Sequence, residues 1–481
     1  MLFNSHIFIL LFLPISLITF YVLGRYNNPK RSVIGLFVLS MVFYAYNKPV
    51  YLLILLFSLI VNWGIYSWLN ATQDNYRKMI LMLGVAINIG LLGYFKYVDF
   101  IIANVNYFCK TECSQIGVAL PLGISFYTFQ QIAFIVDAYK GKVKNVDFGE
   151  YVTFVTFFPQ LIAGPIARQD DLVQQIRKSA KTGLNWENLY KGLIMFSLGL
   201  TKKVVIADAW GKGVNYSMQY LKEMNLWLAL LTMIAYTFEI YFDFSGYCDM
   251  ASGLAKMFNI DLPVNFNLPY RAKSVREFWQ RWHMTLTSFL TEYVYIPLGG
   301  SQKGRIRTYV NVMIVFAISG LWHGASWTFV LWGILHGMAT VIERMIGEDK
   351  LRKVPLIIRW CGTFIFINVT WMIFKIETFE DVRVYFHAFL NSNRSPVSST
   401  IIEVGYCPYY VQQIVYRLGF DPMVFVLFGV MISLFLAVKI NTKEFVDNLY
   451  KKKISVVICS AILIWCVLNF NTESVFLYFN F

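Results

Sequence analysis

The 481-residue chain is too apolar for a soluble protein, since 57% of its residues are hydrophobic and only 15% are charged, against roughly half and a quarter in soluble domains. No hydrophilic stretch is long enough to form a separate domain, so the composition predicts one membrane-embedded domain over residues 1–481. The net charge of +14 comes from Lys and Arg residues in short loops between apolar spans, which indicates membrane orientation and disfavours nucleic-acid binding.

The first four apolar spans are predicted as membrane helices separated by short turns. They cover residues 8–23, 32–46, 50–69 and 79–94. Basic residues follow the first span and precede the fourth, so these two turns should face the cytoplasm and the N-terminus should lie outside. The first span has no preceding Lys or Arg and no small-residue cleavage site, which favours a retained helix over a signal peptide. The polar loop with Cys109 and Cys113 is then outside, where the two could form a disulfide or remain independent thiols.

Residues 120–168 depart from this pattern because Pro and Gly interrupt the apolar sequence. Pro121, Gly123, Pro159, Gly164 and Pro165 break what would otherwise be continuous helices. A bilayer tolerates broken backbone only where protein or a water-filled cavity satisfies its polar groups, so we predict re-entrant or half-length elements that line a cavity. An ordinary proline-kinked helix fits the first of the two segments about as well. The polar stretch 170–187 predicts a surface loop with a short amphipathic helix.

Two carboxylates lie at the end of the next apolar region, which we predict to contain spans at 189–206 and 226–242. Glu239 and Asp243 are four residues apart and share a helix face if the helix continues. Such a pair could do acid–base chemistry, but carboxylates in a membrane bundle more often bind Arg or backbone donors. We therefore favour a structural role and keep both residues as candidates for lining a substrate tunnel.

A helix is predicted to begin after Ser274, which has capping-box spacing to Glu277. Trp279, Arg281 and His283 follow in the pattern of an amphipathic helix. The segment is aromatic, partly basic and too polar to span a bilayer. We therefore expect one long helix that lies in the membrane interface or dips into the bundle.

The next apolar run begins at residue 308 and is interrupted by Ser319-Gly320. At 1.5 Å per residue, His323 lies roughly 20 Å along the helix from residue 308, well inside a ~30 Å hydrocarbon core. The run returns through residues 327–339, and further spans are predicted near 356–374, 424–438 and 454–470. The sequence thus predicts an all-α bundle of about 11 spans with re-entrant and interfacial helices, and its charge pattern places the C-terminus outside.

Three of the five histidines lie in this region, namely His283, His323 and His336. An ionisable residue at membrane depth is costly, which suggests a function. A neutral imidazole can take the proton of an alcohol that attacks a thioester carbonyl, while Trp, Asn or backbone donors stabilise the oxyanion. We expect this role for His323 and interpret His336 as a packed, hydrogen-bonding residue.

No G-x-S-x-G sequence and no third metal ligand occurs, so a serine hydrolase and a metal site are disfavoured. The candidates for lining a substrate tunnel are Trp322, Trp279, Arg281, Asn311, Glu239 and Asp243.

Several motifs resemble one known family. RWHMTLTSFLTEYVYIPLGG followed by SGLWHGASWTFVLWGILHG is similar to the signature of the membrane-bound O-acyltransferases. The resemblance is to the bacterial branch that contains the alginate O-acetylase membrane subunit, the peptidoglycan O-acetyltransferase and the teichoic-acid D-alanyl transferase. PLGISFYTFQ, FFPQLIAGPI and YFDFSGYCDMA also resemble that branch, so the motifs extend over a core at residues 119–344.

The resemblance implies roles for individual residues. The His of the W-H-G segment, His323, would be the catalytic residue, and the His of the R-W-H segment, His283, would be the second active-site residue. Relatives also carry an aromatic C-terminal tail with a Tyr proposed as an acyl relay, which corresponds to Tyr478 in FLYFNF. The family further implies a helical funnel that admits an acyl donor from the cytoplasm and passes acyl groups to an extracytoplasmic partner, often an SGNH-type esterase.

From this resemblance we expect a multi-pass O-acetyltransferase of the bacterial cytoplasmic membrane. Acetyl-CoA is the expected donor and suits a basic cytoplasmic face, no bound cofactor is expected, and the acceptor would be a cell-envelope polysaccharide such as peptidoglycan or an alginate-like polymer. A transporter or flippase for a polar envelope precursor is the first alternative, and a non-catalytic scaffold is the second. Transporters usually show matching interruptions in both halves, whereas the breaks near Pro121 and Pro165 have no counterpart after Trp360.

Overall fold

The chain is helical over most of its length. The computed structural model describes residues 1–25, 29–143, 145–391, 396–452, 454–470 and 475–477, and no β-strand occurs in these ranges. The all-α fold class is therefore confirmed. The helices of the first half are α1 (Leu13–Arg25), α2 (Pro29–Ala45), α3 (Val50–Ala71), α4 (Asp74–Leu92), α5 (Val98–Cys109), α6 (Ile124–Tyr139), α7 (Phe148–Thr156), α8 (Gln169–Ser179), α9 (Trp186–Thr201), α10 (Asp208–Gln219) and α11 (Leu226–Met257).

The second half adds twelve helices in the part of the chain that the structure describes. They are α12 (Val275–Trp279), α13 (Met284–Leu290), α14 (Arg305–His323), α15 (Trp327–Ile346), α16 (Glu348–Arg352), α17 (Leu356–Lys375), α18 (Phe379–His387), α19 (Pro396–Tyr406), α20 (Tyr409–Arg417), α21 (Pro422–Lys439), α22 (Thr442–Leu449) and α23 (Ile454–Leu468).

The chain divides into two compact units. The first unit comprises Met1–Gly199, Tyr247–Val264 and Val446–Phe481, and the second comprises Leu200–Gly246 and Asn265–Phe445. All of the histidines that the sequence singles out lie in the second unit. The description of residues 1–481 as one functional domain stays a prediction.

Six of the described helices are long and apolar enough to cross a membrane. They are Val50–Ala71, Tyr76–Cys109, Leu226–Met257, Trp327–Ile346, Leu356–Lys375 and Pro422–Lys439. Shorter apolar helices occur at Phe8–Gly24 and Ile454–Leu468. The chain is thus a multi-pass membrane protein, while the predicted total of about 11 spans, which includes shorter and more polar helices, stays a prediction.

Two of the predicted spans are shorter than the observed helices. The fourth span was placed at 79–94, but a π turn over Gly93–Tyr97 carries the helix on to Cys109, so Cys109 is helical and not part of the loop. Lys96 within that turn donates to Ser125 Oγ at 3.2 Å. Likewise α11 continues to Met257 and not to residue 242. A charge that is hydrogen-bonded inside the protein need not end a helix. Cys109 and Cys113 are both exposed free thiols.

The prediction of a half-length element in residues 120–168 is confirmed by α7, which has only nine residues. A turn follows it, and Gly123 packs against this turn with a positive φ of 73°. A Cβ on Gly123 would lie 2.9 Å from the carbonyl oxygen of Leu161, so only glycine fits this approach. The amphipathic helix predicted within 170–187 is α8.

The single long helix expected after Ser274 is wrong. Its start is correct, because Ser274 Oγ accepts the backbone N–H of Glu277 and α12 follows. The helix ends after five residues, and a second short helix, α13, starts after His283. His283 has φ 44° and ψ 49°, the left-handed region that cannot continue a helix. The segment therefore turns sharply at the histidine.

The interruption expected at Ser319-Gly320 is also wrong. Helix α14 runs without a break to His323, and the chain leaves the helix at Gly324. Gly320 instead allows α14 and α15 to touch, because a Cβ there would lie 2.4 Å from the carbonyl oxygen of Phe329. Gly333 on α15 makes the reciprocal approach, with its virtual Cβ 2.4 Å from Phe316 O. Small residues at such a crossing bring the backbones together.

Candidate active site

His323 is the last residue of α14 and is buried, with 2% of its surface exposed. Three aromatic rings surround the imidazole. The centroids of Trp322, Trp332 and Phe374 lie 4.9, 5.2 and 5.2 Å from that of His323, all at steep interplanar angles. These residues form what we call the aromatic cluster. The glycine-mediated crossing of α14 and α15 fixes it, since it sets the distance between His323 on one helix and Trp332 on the other.

His283 is fully buried and is positioned by Asn265. Its Nδ1 lies 3.2 Å from Asn265 Oδ1, which also accepts the backbone N–H of Thr285 at 3.2 Å. Because the Thr285 amide can only donate, the Asn265 atom is the carbonyl oxygen, and His283 Nδ1 must carry the hydrogen. In the neutral ring the lone pair then lies on Nε2, so Nε2 is the atom able to accept a proton.

Trp322 connects the two histidines. Its ring centroid is 6.0 Å from that of His283 and 4.9 Å from that of His323. Phe244 packs against the His283 ring at 4.8 Å. The structure therefore brings together three residues that the sequence singles out, with two imidazoles against one indole in a buried, apolar environment.

His336 has both ring nitrogens engaged. Its Nδ1 accepts the indole N–H of Trp279 at 3.1 Å, and its Nε2 lies 3.1 Å from Thr370 Oγ1. Since an indole nitrogen only donates, the hydrogen of the neutral ring is on Nε2 and is donated to Thr370. This arrangement agrees with the interpretation of His336 as a packed, hydrogen-bonding residue.

The other tunnel candidates use their polar groups in different ways. Arg281 pairs with Glu277 at 2.9 Å, and the amide of Asn311 donates to Gly300 O at 2.9 Å. Asp243 accepts from Lys203 at 2.7 Å, the kind of structural pairing that the sequence favours.

Two sequence candidates remain. Glu239 is buried, and its Oε2 has no hydrogen-bond partner within the residues described here. Tyr478, the predicted acyl relay, lies outside the described residues.

A cavity of about 1010 Å³ opens beside the N-terminal end of α14 and the C-terminal end of α15. We call it the basic cavity because five arginines line it, namely Arg276, Arg281, Arg305, Arg344 and Arg359. Of these, Arg281 is paired with Glu277. The other four form no ion pair with any described residue. Glu343 and Glu348 also line the cavity, so its positive charge is offset only in part.

A second, apolar cavity of about 250 Å³ adjoins the first and shares Arg276 and Arg344 with it. We call it the apolar slot. Trp279 and Phe316 line it. The Trp279 ring is 5.5 Å from Trp332 of the aromatic cluster, and the Phe316 ring stacks 6.3 Å from His336, which neighbours the cluster. The slot therefore ends against the residues that surround His323.

Sequence reasoning missed the basic cavity, Trp332 and Phe374. The sequence predicts a basic cytoplasmic face and a tunnel role for Arg281, but it does not group the five arginines, because they are spread over separate segments that meet only in the fold. Because 18% of the chain is aromatic, the sequence does not distinguish Trp332 and Phe374 from the many other aromatic residues. Only Trp332 lay within a quoted motif, and no local signal set it apart.

A buried imidazole pair near an apolar slot that adjoins a basic cavity is suited to group transfer inside a membrane. A model of the membrane-bound O-acyltransferase family matches residues 55–379, well over half of the chain, and the chain belongs to this family. The resemblance inferred from the motifs is thus confirmed, and the protein is an O-acyltransferase.

Named relatives are similar over most of their length. The peptidoglycan O-acetyltransferase of Helicobacter pylori is 40% identical over 410 residues, covering 79% of this chain and 78% of that protein. The probable alginate O-acetylase AlgI of Pseudomonas aeruginosa is 37% identical over 390 residues, covering 79% of this chain and 73% of that protein. The teichoic acid D-alanyltransferase of Bacillus subtilis is more distant, at 28% over 225 residues, covering 45% of this chain and 57% of that protein.

Proposed function

We propose that the protein transfers acetyl groups from acetyl-CoA in the cytoplasm, across the bacterial inner membrane, to hydroxyl groups of a cell-envelope polysaccharide such as peptidoglycan or an alginate-like polymer. An extracytoplasmic SGNH-type esterase would complete the transfer. Support comes from the two relatives that cover most of the chain, whose names describe O-acetylation of peptidoglycan and of alginate. The positive-inside pattern supports extracytoplasmic N- and C-termini.

The basic cavity supports an anionic donor. Arg276, Arg305, Arg344 and Arg359 line it without an ion-pair partner among the described residues, and guanidinium groups bind phosphate oxygens in a bidentate manner. Its lining includes the two helix ends that carry Arg305 and Arg359, which the charge pattern places on the cytoplasmic side. The phosphate groups of coenzyme A would bind here.

The apolar slot would fit a donor in which a thin, extended arm joins the phosphates to the thioester. At about 250 Å³ the slot is much smaller than the basic cavity. The nucleotide end of the donor would stay in the basic cavity while the arm carries the acetyl thioester towards Trp279 and Phe316. The reacting carbonyl would then lie beside the aromatic cluster.

The observation that carries the proposal is the burial of His323 where the slot meets the cluster. In the proposed step, an acceptor hydroxyl attacks the thioester carbonyl and His323 takes the hydroxyl proton. The tetrahedral intermediate collapses, the C–S bond breaks, and the departing thiolate takes the proton from the imidazolium. A positioned general base contributes typically ~10²–10⁴-fold. His283, through Nε2, assists in this proton transfer. The attacking hydroxyl would be that of Tyr478, whose acetyl ester would then pass to the extracytoplasmic partner on the outer side.

The test measures ester-linked acetate on envelope glycans in cells with the native chain, His323→Ala and Tyr478→Phe at matched membrane abundance. His387→Ala is the control, because His387 is exposed at the end of α18. We expect loss of acetate in both site variants and native acetate in the control. Loss in His323→Ala alone would reduce Tyr478 to an interface anchor. Native acetate in all variants would contradict the mechanism and favour the transporter or the scaffold.

A further inference from the structure

Trp332 lies between the apolar slot and His323. The residue is on α15 and is fully buried, with 0% of its surface exposed. Its ring centroid is 5.5 Å from Trp279, which lines the slot, and 5.2 Å from His323. A thioester that passes from the slot to the histidine must therefore come close to this indole.

The indole N–H of Trp332 has no hydrogen-bond acceptor within the described residues. Three other indoles of the second unit are paired: Trp279 donates to His336, Trp371 to Tyr270 Oη at 3.3 Å, and Trp360 to Tyr270 O at 2.8 Å. The nearest imidazole, His336 at 4.8 Å, offers no free acceptor, because Trp279 already occupies its Nδ1.

A buried hydrogen-bond donor that has no acceptor costs ~1–3 kcal/mol of stability. Folded proteins pair roughly 90% or more of such groups, so an exception calls for an explanation. A packing role alone does not explain the unpaired N–H, because phenylalanine would fill much of the same space without a polar atom. A ligand that brings its own acceptor would explain it.

We propose that the Nε1–H of Trp332 donates a hydrogen bond to the thioester carbonyl oxygen and stabilises the oxyanion that forms when the acceptor hydroxyl attacks. This inference rests on the proposed function and adds a second catalytic group to it. The attack forms a C–O bond, the carbonyl π pair moves to the oxygen held by Trp332, and His323 takes the hydroxyl proton. Collapse restores the carbonyl, breaks the C–S bond, and returns the proton to the thiolate.

A donor aimed at a developing oxyanion acts on the transition state more than on the bound substrate. Removing one such donor typically lowers kcat by ~10²–10³-fold. Loss of Trp332 Nε1–H should therefore lower kcat while leaving the KM for acetyl-CoA near its native value. A residue that only packs could lower kcat only by displacing His323, so a replacement of the same shape without the N–H would then keep the native kcat.

The test compares native chain, Trp332→Phe and Trp360→Phe in membrane vesicles, with acetyl-CoA supplied on the cytoplasmic side. The rate of CoA thiol release that accompanies glycan acetylation gives kcat and KM per correctly folded chain. We expect Trp332→Phe to lose ~100-fold in kcat per folded chain. Its unfolding midpoint should fall, because the smaller ring leaves a cavity in the cluster, and kcat is therefore compared per folded chain. Trp360→Phe removes a paired donor away from His323, so we expect a lower unfolding midpoint and native kcat.

A second variant covers the case in which Trp332→Phe does not fold. Replacing Trp332 by benzothienylalanine keeps the bicyclic shape and substitutes sulfur for the N–H, so it should fold and still lose kcat. Native kcat in this variant would overturn the inference even if the proposed function holds. Absence of any acetyl-CoA-dependent acetylation with the native chain would instead overturn the proposed function, and the inference with it.

Discussion

The crossing of α14 and α15 should be intolerant of a single added methyl group. In Gly320→Ala the new Cβ would lie 2.4 Å from Phe329 O, 3.2 Å from Phe329 C and 3.4 Å from Gly333 Cα. All three atoms belong to backbone and cannot rotate away. Ordinary contact needs ~3.5 Å, so the helices must separate by about 1 Å.

This separation should affect both stability and catalysis. Overpacking of this kind typically costs ~1–3 kcal/mol. His323 lies three residues after Gly320 on the same helix, and a misplacement of ~1 Å can cost ~100-fold in rate. We therefore expect a lower unfolding midpoint in detergent and a loss of acetyl transfer greater than the loss of folded protein explains.

Gly362→Ala is the matched control for this prediction. Gly362 is inside α17, and a Cβ there would meet nothing within 4 Å. Alanine in a helix interior is favoured over glycine by roughly 0.5–1 kcal/mol, so this variant should be at least as stable as the native chain and fully active. If Gly320→Ala matched the control in both measurements, the role assigned to the crossing would be refuted.

Two further predictions concern charged groups. Lys203→Met removes the ammonium that pairs with Asp243 and Asp208 at 2.7 and 2.8 Å. Breaking a buried pair costs ~3–5 kcal/mol of stability, so the abundance of the protein in the membrane should fall. Adding Asp243→Asn should restore part of that abundance. Equal abundance in the single variant would contradict this. Arg359→Ala should raise the KM for acetyl-CoA roughly tenfold, since a hydrogen bond to a charged group is worth ~1.5–3 kcal/mol, and should leave kcat near native. Arg383→Ala, outside the basic cavity, is its control, and a native KM in Arg359→Ala would remove that cavity from donor binding.

Local sequence was sufficient for features that depend on neighbouring residues. The cap at Ser274, the amphipathic helix α8 and the break after α7 follow from capping residues, periodicity and proline. The predicted pair of functional histidines, His283 and His323, is brought into one cluster through a shared tryptophan.

Features that depend on partners distant in sequence could not be predicted in this way. Ser319-Gly320 resembles a helix break in isolation, yet Gly320 is needed because Gly333 approaches it from another helix. The ends of two spans are predicted too early because Lys96 and Asp243 follow them, and the partners that satisfy these charges inside the protein lie far away in sequence. The turn at His283 is likewise held by hydrogen bonds to Asn265, which is eighteen residues earlier.

The tight aromatic cluster around His323 has a consequence for the electrical insulation of the membrane. An open pore would let ions leak, and each elementary charge that crosses is worth ~2.3 kcal/mol per 100 mV of potential. Rings packed 4.9–5.2 Å from the His323 centroid leave little room for hydrated ions. An acetyl group is neutral and moves in the proposed mechanism by exchange of covalent bonds. Its transfer would therefore move no charge across the membrane potential. The cell would keep its ion gradients while its envelope is acetylated.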